Sequence, residues 1–198
     1  MDLNETVRRC QLGEKEAFEE LLKIVEKDAL ATAYLISGTR GIAEDILQEA
    51  YIKCFMQIKN LRSPEAFKVW FFRILVRTGW EMTKKSSSFV VKEISDTDNL
   101  MFYNICANTE NSMENFEIKH SMQNAINKLS TNLKTVVILY YFNDMSIDEI
   151  SKILNCLKAT VKSRLFYARG VLRKELSDYF NIESNLKIMN RKECSKIG

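Results

Sequence analysis

The chain has 198 residues, enough for one medium-sized domain or two small ones, and its 46% hydrophobic content excludes a disordered polymer. Its five scattered cysteines include no CxxC pair, and there is a single histidine, which argues against a disulfide framework and a Cys/His zinc site. No apolar run is long enough to span a membrane, and the N-terminus has no signal-peptide core. We therefore expect a cytoplasmic protein without membrane insertion, metal or cofactor.

Helical patterns dominate the chain, which has only six glycines and one proline. Apolar residues recur at steps of three and four, as buried faces of helices do. One predicted stripe comprises Ile46, Leu47, Ala50, Tyr51, Cys54, Phe55 and Ile58. The patterns predict helices at about residues 6–37, 42–59, 64–84, 117–128, 132–142, 147–154 and 159–179. The fold class is therefore predicted to be all-α.

The charge is unevenly distributed, although the whole chain has a net charge of only +3. Residues 50–85 contain eight basic and two acidic side chains, whereas residues 86–117 contain six acidic and one basic. The second stretch is also rich in Ser, Asn and Thr, which is typical of a linker. We predict two small helical domains, residues 1–85 and 118–181, joined by a flexible acidic linker over 86–117 and followed by a tail over 182–198.

A helix-turn-helix is predicted near the end of the second domain. Ser146 and Glu149 have the spacing of a capping box, and Asn155 suits the left-handed turn after a short helix. The next helix has six basic residues and no acidic one between Lys158 and Lys174. Such a helix fits the major groove of DNA, although a basic helix end is often only a solvated face that complements the helix dipole.

Two stretches carry a family resemblance. The segment LSTNLKTVVILYYFNDMSIDEISKILNCLKATVKSRLFYARGVLRKEL resembles the last domain of extracytoplasmic-function (ECF, group IV) sigma factors of bacterial RNA polymerase. The segments AEDILQEAYIKCF and LRSPEAFKVWFFRIL resemble their first domain. The match covers about Ala17–Lys84 and Met122–Tyr179. It implies a non-enzymatic subunit that binds core polymerase and directs promoter-specific transcription initiation.

The resemblance also implies the site residues. It implies that core polymerase, through the clamp helices of its largest subunit, binds Asp45, Gln48 and Glu49; these three face outward if Ile46 and Leu47 are buried. It implies that the promoter's minus-ten element, melted to flip a base, contacts Asn60, Arg62, Ser63, Lys68, Arg73, Arg77, Lys84 and Lys85. It implies that the minus-thirty-five element contacts Thr160, Lys162, Ser163, Arg164, Phe166, Tyr167 and Arg169. The polymerase flap region and an anti-sigma factor are further implied partners.

Some positions depart from the family pattern, and other interpretations stay open. Asn155 stands where the family often has Gly, Leu157 where it often has a Ser or Thr cap, and Arg77 where Asn is frequent. An acidic helix start is commonly just stabilised by the dipole, and Trp70 is more typical of a core residue than of a base-stacking one. The alternative function is a helix-turn-helix regulator whose N-terminal half senses a ligand or dimerises. An enzyme is not expected, since no phosphate-binding loop or metal cluster occurs.

Overall fold

The computed structural model describes the backbone of residues 2–86 and 121–194, with side chains for 2–84 and 121–177. These residues form helices and no β-strand, which confirms the all-α prediction. The N-terminal block, residues 2–86, contains α1 (Leu3–Leu12), α2 (Lys15–Ser37), α3 (Arg40–Gln57), two 3₁₀ turns (Ile58–Asn60 and Pro64–Ala66) and α4 (Phe67–Ser86). The C-terminal block, residues 121–194, contains α5 (121–127), α6 (Thr131–Val137), a π-helical turn (Ile138–Phe142), α7 (Ile147–Leu154) and α8 (Lys158–Cys194).

Three boundaries differ from the sequence prediction. The helix expected over 6–37 is two helices, because Gly13 adopts a left-handed backbone (φ +94°) and its N–H caps the end of α1. The helix expected over 132–142 changes to π geometry at Ile138. The last helix, expected to end near residue 179, continues to Cys194 and takes in most of the predicted tail. Most of the predicted linker, residues 87–117, lies outside the described residues.

The core of the N-terminal block lies between α2, α3 and α4. Leu21 of α2, Ile46 of α3 and Leu75 of α4 are completely buried. The rings of Phe67 and Phe71 stack within this core, with centroids 5.7 Å apart. Full burial of side chains of this size stabilises a fold by roughly 1.5–3 kcal/mol each. The apolar spacing that the sequence displays therefore forms the centre of a helical bundle.

The two blocks are in contact and share one cluster of buried apolar side chains. Helix α4 packs against α7, and α2 packs against the π-helical turn and α6. The completely buried Ile138 and Ile150 of the C-terminal block belong to the same cluster as Leu75 of α4. The C-terminal block is thereby held against the face of the N-terminal block formed by α2 and α4, with α7 of the helix-turn-helix on α4.

Candidate nucleic-acid and polymerase interfaces

The helix-turn-helix in the C-terminal block has the predicted cap and turn. The Ser146 hydroxyl accepts from the Glu149 N–H at 3.3 Å, and the Glu149 carboxylate accepts from the Ser146 N–H at 2.8 Å. Hydrogen bonds from the Ser146 hydroxyl and backbone N–H lower the pKa of Glu149 below its usual value. Asn155 ends α7 in the left-handed conformation, with φ at 49°. The sequence prediction of a capping box and an Asn turn is confirmed.

The second helix of this motif, α8, turns one face inward and another outward. Val161, Leu165 and Ala168 are buried, as the sequence pattern predicts. The predicted minus-thirty-five residues lie elsewhere on the helix: Lys162, Ser163, Phe166, Tyr167 and Arg169 are exposed, and Thr160 and Arg164 are half-buried. The rings of Phe166 and Tyr167 are 72% and 65% exposed. Uncovered aromatic side chains beside cations are typical of a contact surface rather than of an inert face.

The basic residues of α8 differ in whether they form an ion pair with a carboxylate. The Lys158 ammonium lies 2.5 Å from the Asp148 carboxylate, which also contacts Lys152 at 2.5 Å. Hydrogen bonds from Lys152 and then Lys158 lower the pKa of Asp148 to about 2. Asp148 thus joins the two helices of the motif across their turn. Within the described part of the chain, no carboxylate forms an ion pair with the other basic residues, which are Lys162, Arg164, Arg169, Arg173 and Lys174.

Leu157 occupies the position just before α8. Its carbonyl accepts from the N–H groups of Thr160 and Val161, at 2.9 and 3.2 Å, so the helix begins normally. Its side chain cannot accept a hydrogen bond and is 76% exposed. Leucine at this position therefore provides no side-chain cap, whose loss usually costs about 1 kcal/mol, and places an apolar group in solvent beside the start of α8.

The predicted polymerase-binding residues lie together on the outer side of α3. Asp45 and Gln48 are exposed and Glu49 is half-buried, whereas Ile46 and Leu47 face the core. This confirms that the three polar residues face outward. They line an open groove between α3 and α4, together with Ile52, Lys53, Thr78, Glu81 and Met82.

Lys53 bonds to residues on both sides of this groove, a role that the sequence does not indicate. Its ammonium donates to the Thr78 hydroxyl at 3.1 Å and lies 3.4 Å from Glu49 and 3.6 Å from Glu81. The lysine therefore ties α3 to α4 and restricts the position of Glu49. Asp45 forms no such ion pair with any residue the structure describes, and its carboxylate is available to a cationic partner.

Some apolar side chains of α3 are exposed to solvent, and for Phe55 this contradicts the predicted buried stripe. Phe55 is not part of a buried stripe, since it is 57% exposed and packs edge-on against Phe18, with ring centroids 5.0 Å apart. The reason is geometric: nine residues at about 100° each place Phe55 on the opposite side of the helix from Ile46. Ile52 and Met56 are exposed beside it. A stricter count of helical angles would have found this patch.

The predicted minus-ten loop is held to α1. The Gln11 amide donates to the carbonyls of Leu61 at 2.7 Å and Ile58 at 3.3 Å, and both of these apolar side chains are buried. Asn60, between these two anchors, and Arg62, just after them, remain exposed. The half-buried Ser63 donates to the Glu65 carboxylate and is engaged within the loop. The loop thus presents two of its three predicted polar residues to solvent.

The predicted cations of α4 fall into two groups. Lys68 donates to the Asn143 carbonyl at 3.4 Å, and Arg73 donates to the Lys152 carbonyl at 2.5 Å, so both contact the C-terminal block. Arg77 and Lys84 are exposed, and the Lys85 side chain lies outside the described residues. Nine residues of helix separate Lys68 from Arg77, which places them on opposite sides of α4. The structure therefore does not gather these cations on one surface.

Trp70 and Trp80 of α4 are both half-buried against the core. The Trp70 ring lies 6.1 Å from that of Phe67, which confirms its prediction as a core residue. The Trp80 indole donates to the Thr135 hydroxyl at 3.1 Å and thus contacts the C-terminal block. Across residues 2–86 and 121–194 we find no metal-binding cluster of His, Cys, Asp and Glu, and no helix with the length and apolar character of a bilayer span.

Comparison with known proteins identifies the family. The family model for sigma-70, region 4 matches residues 119–172, which include α7 and the outward face of α8. SigW of Bacillus subtilis, an ECF RNA polymerase sigma factor, is 29% identical over 90% of this chain and 98% of its own length. RNA polymerase sigma factor SigV of the same organism is 30% identical over 77% of this chain and 86% of its own. The chain belongs to the ECF family of sigma factors.

The relationship extends to the fold. CnrH, solved in complex with the cytosolic domain of CnrY, superposes with a TM-score of 0.68 at 16% identity, over 89% of this chain and 97% of that one. The sigma factor RpoE of Bartonella quintana, solved with the anti-sigma factor NepR, gives 0.65 at 21% identity, over 81% and 96%. As a sigma factor, the protein directs promoter-specific transcription initiation by RNA polymerase. The alternative of a ligand-sensing regulator is thereby set aside.

Proposed function

We propose that this sigma factor binds core polymerase through the outer face of α3 and reads the minus-thirty-five element through α8. The observation that carries the proposal is the outward face of α8, where Lys162, Phe166 and Arg169 are exposed on a capped helix-turn-helix. An α-helix of this kind fits the major groove, where N-terminal side chains meet base edges and later cations meet phosphates. Thr160, Ser163, Arg164 and Tyr167 complete the proposed contact surface.

The α3 surface suits a cationic protein partner. Asp45, Gln48 and Glu49 form one polar face, and the exposed Ile52 beside them adds apolar area. Charges at such a surface favour encounter with a complementary partner, whereas buried apolar area provides most of the affinity. The clamp helices of the polymerase largest subunit are the proposed partner here, and the flap region is the proposed partner of the C-terminal block.

For the minus-ten element we propose contacts from the loop and from α4. Asn60, Arg62 and Ser63 are the proposed polar contacts to an extruded base, with exposed Arg77 and Lys84 gripping the backbone. Unstacking a base costs a few kcal/mol, which such contacts must offset. The proposal also includes Lys68, Arg73 and Lys85. Lys68 and Arg73 take part only once they leave the C-terminal block.

The remaining features of the proposal concern the whole protein. Residues 1–85 and 118–181 are proposed as the two functional domains, with 86–117 as their linker and 182–198 as a tail. The protein acts without catalysis of its own, in the cytoplasm, where core polymerase and promoter DNA are found. An anti-sigma factor is a proposed regulator, since the structurally similar RpoE was solved with one.

Two variants that should each impair a different activity test the proposal. Asp45→Ala combined with Glu49→Ala should weaken co-purification with core polymerase by tenfold or more, because interface hot spots contribute about 2 kcal/mol or more. Arg164→Ala should leave core binding intact and lower promoter-specific run-off transcription by a similar factor. Glu44→Ala is the matched control, as this exposed acid lies on α3 and pairs with Arg40. If Arg164→Ala abolishes core binding as well, or if neither variant affects transcription, the proposed surfaces are wrong.

A further inference from the structure

The contact between the two blocks contains a buried polar pair. Thr32 of α2 is 0% exposed and Asn143, which follows the π-helical turn, is 5% exposed. The Asn143 amide donates to the Thr32 hydroxyl at 2.9 Å, and that hydroxyl donates to the Asp28 carbonyl at 2.7 Å. Polar groups are buried at a cost unless they find such partners, so the pair favours one specific docking of the blocks.

The backbone around Asn143 is shaped for this contact. The preceding turn has π geometry, which is rare and occurs frequently at functional sites. The Asn143 N–H donates to the Ile138 carbonyl at 3.2 Å, and Asp144 then adopts a left-handed conformation with φ at 50°. Together these features end the helix abruptly and direct the Asn143 side chain into the N-terminal block.

Two of the proposed minus-ten cations also bond across the contact between the two blocks. The Arg73 guanidinium donates to the Lys152 carbonyl in the last turn of α7, and the Lys68 ammonium donates to the Asn143 carbonyl. The final carbonyls of a helix lack intrahelical donors and attract cations, so this is a favourable site for a guanidinium. Arg73 Nε is buried with no hydrogen-bond partner in the described structure, so the contact is incomplete.

This arrangement is incompatible with simultaneous contact at both promoter elements. The minus-ten and minus-thirty-five elements are about 25 base pairs apart by their names, or about 85 Å of B-DNA at 3.4 Å per base pair. Arg73 of the proposed minus-ten helix, however, touches Lys152 of the helix-turn-helix within hydrogen-bond distance. With the two blocks docked in this way, the proposed minus-ten and minus-thirty-five surfaces are too close together to contact both promoter elements at once.

We infer that the described arrangement is a self-occluded form, in which the Thr32–Asn143 latch holds the C-terminal block over the minus-ten cations until the blocks separate. The inference rests on the proposed promoter surfaces. The apparent affinity for the promoter is the intrinsic affinity multiplied by the fraction of chains that are open, so a stronger latch lowers the response to polymerase and DNA. Weakening the latch should therefore activate the factor without touching a DNA-contacting residue.

Thr32→Val is the direct test, with Thr6→Val as its matched control. Both threonines are buried and bond the carbonyl four residues earlier, but only Thr32 bonds the other block. Valine at position 32 leaves the Asn143 amide without a partner in the closed form, whereas water satisfies it in the open form. That difference should shift the equilibrium about five- to a hundredfold toward the open form.

Two measurements on the full chain follow. Small-angle scattering should give a larger radius of gyration for Thr32→Val than for wild type and Thr6→Val. Run-off transcription with core polymerase should reach half-maximum at a lower concentration of the Thr32→Val protein. An unchanged radius together with unchanged transcription, in a variant that circular dichroism shows to be folded, overturns the inference. If wild type itself supports no transcription, the proposed function fails. The radii of gyration from small-angle scattering still test the latch in that case.

A covalent lock covers the case in which Thr32→Val fails to fold. The Asn143 amide nitrogen and the Thr32 hydroxyl oxygen are 2.9 Å apart, and a disulfide formed by an added oxidant between a Thr32→Cys, Asn143→Cys pair would fix the closed form. Cys106, Cys156 and Cys194 are replaced by Ser in every variant, and the remaining native Cys10 and Cys54 are poor competitors, because burial raises their pKa to about 11 and about 12. The oxidised pair should lose transcription and regain it with reductant, whereas oxidised Thr32→Cys alone should stay active. A bridged protein that transcribes normally refutes the latch.

Discussion

The two basic helices, α4 and α8, differ in what covers their cations. On α8, Lys162 and Arg169 extend into solvent with no carboxylate bonded to them in the described structure. On α4, Lys68 and Arg73 contact carbonyls of the other block. A similar density of charge thus produces an open surface on one helix and a partly covered one on the other. The difference arises from tertiary packing, because α8 buries one face while α4 packs against the core and also against α7.

The two proposed DNA surfaces therefore differ in how accessible their cations are. The α8 surface needs no rearrangement to meet a duplex. For the proposed minus-ten contacts of Lys68 and Arg73 the C-terminal block must move away, because a cation already bonded to a carbonyl cannot also hold a phosphate in the same geometry. In the proposed closed form, docking of the helix-turn-helix on a promoter and release of Lys68 and Arg73 would be linked through α7.

The largest expected effect tests whether the blocks share one core. Ile150→Ala in α7 should lower the free energy of unfolding by about 2–5 kcal/mol, since the side chain is completely buried. Both tryptophans lie in the N-terminal block. Their fluorescence transition in urea should move to lower denaturant together with the circular dichroism transition. Leu157→Ala, at an exposed position in the same block, should move neither. A tryptophan transition that Ile150→Ala leaves unchanged would mean that the blocks unfold independently.

A smaller effect separates the two groups of cations on α4. Arg77→Ala should reduce open-complex formation about tenfold, because an exposed guanidinium loses a charge-assisted contact with DNA. Arg73→Ala should reduce it less, because the lost DNA contact is offset by release of the C-terminal block. Permanganate footprinting of the minus-ten region by the reconstituted holoenzyme measures both. A greater loss for Arg73→Ala than for Arg77→Ala would contradict the comparison drawn between the helices.

The salt dependence of promoter binding should distinguish free from compensated cations on α8. Arg169→Ala should reduce the log–log salt slope of holoenzyme binding by about 1, because one phosphate contact is lost. Lys158→Ala should leave the slope nearly unchanged, since Asp148 already neutralises that ammonium. Equal reductions for the two variants would show that the Lys158–Asp148 pair breaks on DNA.

Local signals in the sequence predicted much of the helix-turn-helix. The Ser146–Glu149 cap and the left-handed Asn155 follow from short-range chemistry, and the structure has both. The outward position of Asp45 follows from helical period alone. By contrast, the pairing of Thr32 with Asn143 joins residues 111 positions apart, and no local pattern indicates it. The exposure of Phe55 was predictable in principle, since its angle around α3 places it opposite Ile46.

The smallest expected effect concerns the ion pairs that cross the turn of the motif. The folded-state pKa of Asp148 is about 2, below its ordinary value of 3.8, because Lys152 and Lys158 stabilise the ionised form. A lowered pKa contributes stability that is fully present above about pH 4 and is lost as pH falls through 2. The stability difference between wild type and Asp148→Asn should therefore be constant near neutral pH and shrink between pH 4 and 2.

Urea unfolding of wild type and Asp148→Asn at several pH values measures this difference. Because both lysines are largely solvent-exposed and the carboxylate is partly exposed, 1 M salt should also reduce this stability difference at neutral pH. If the stability difference between the two proteins persists unchanged at pH 2, Asp148 stabilises the fold through hydrogen bonds that do not require its negative charge. In that case Lys158 would count as a free cation, and α8 would offer DNA one more phosphate contact than the comparison with α4 assumes.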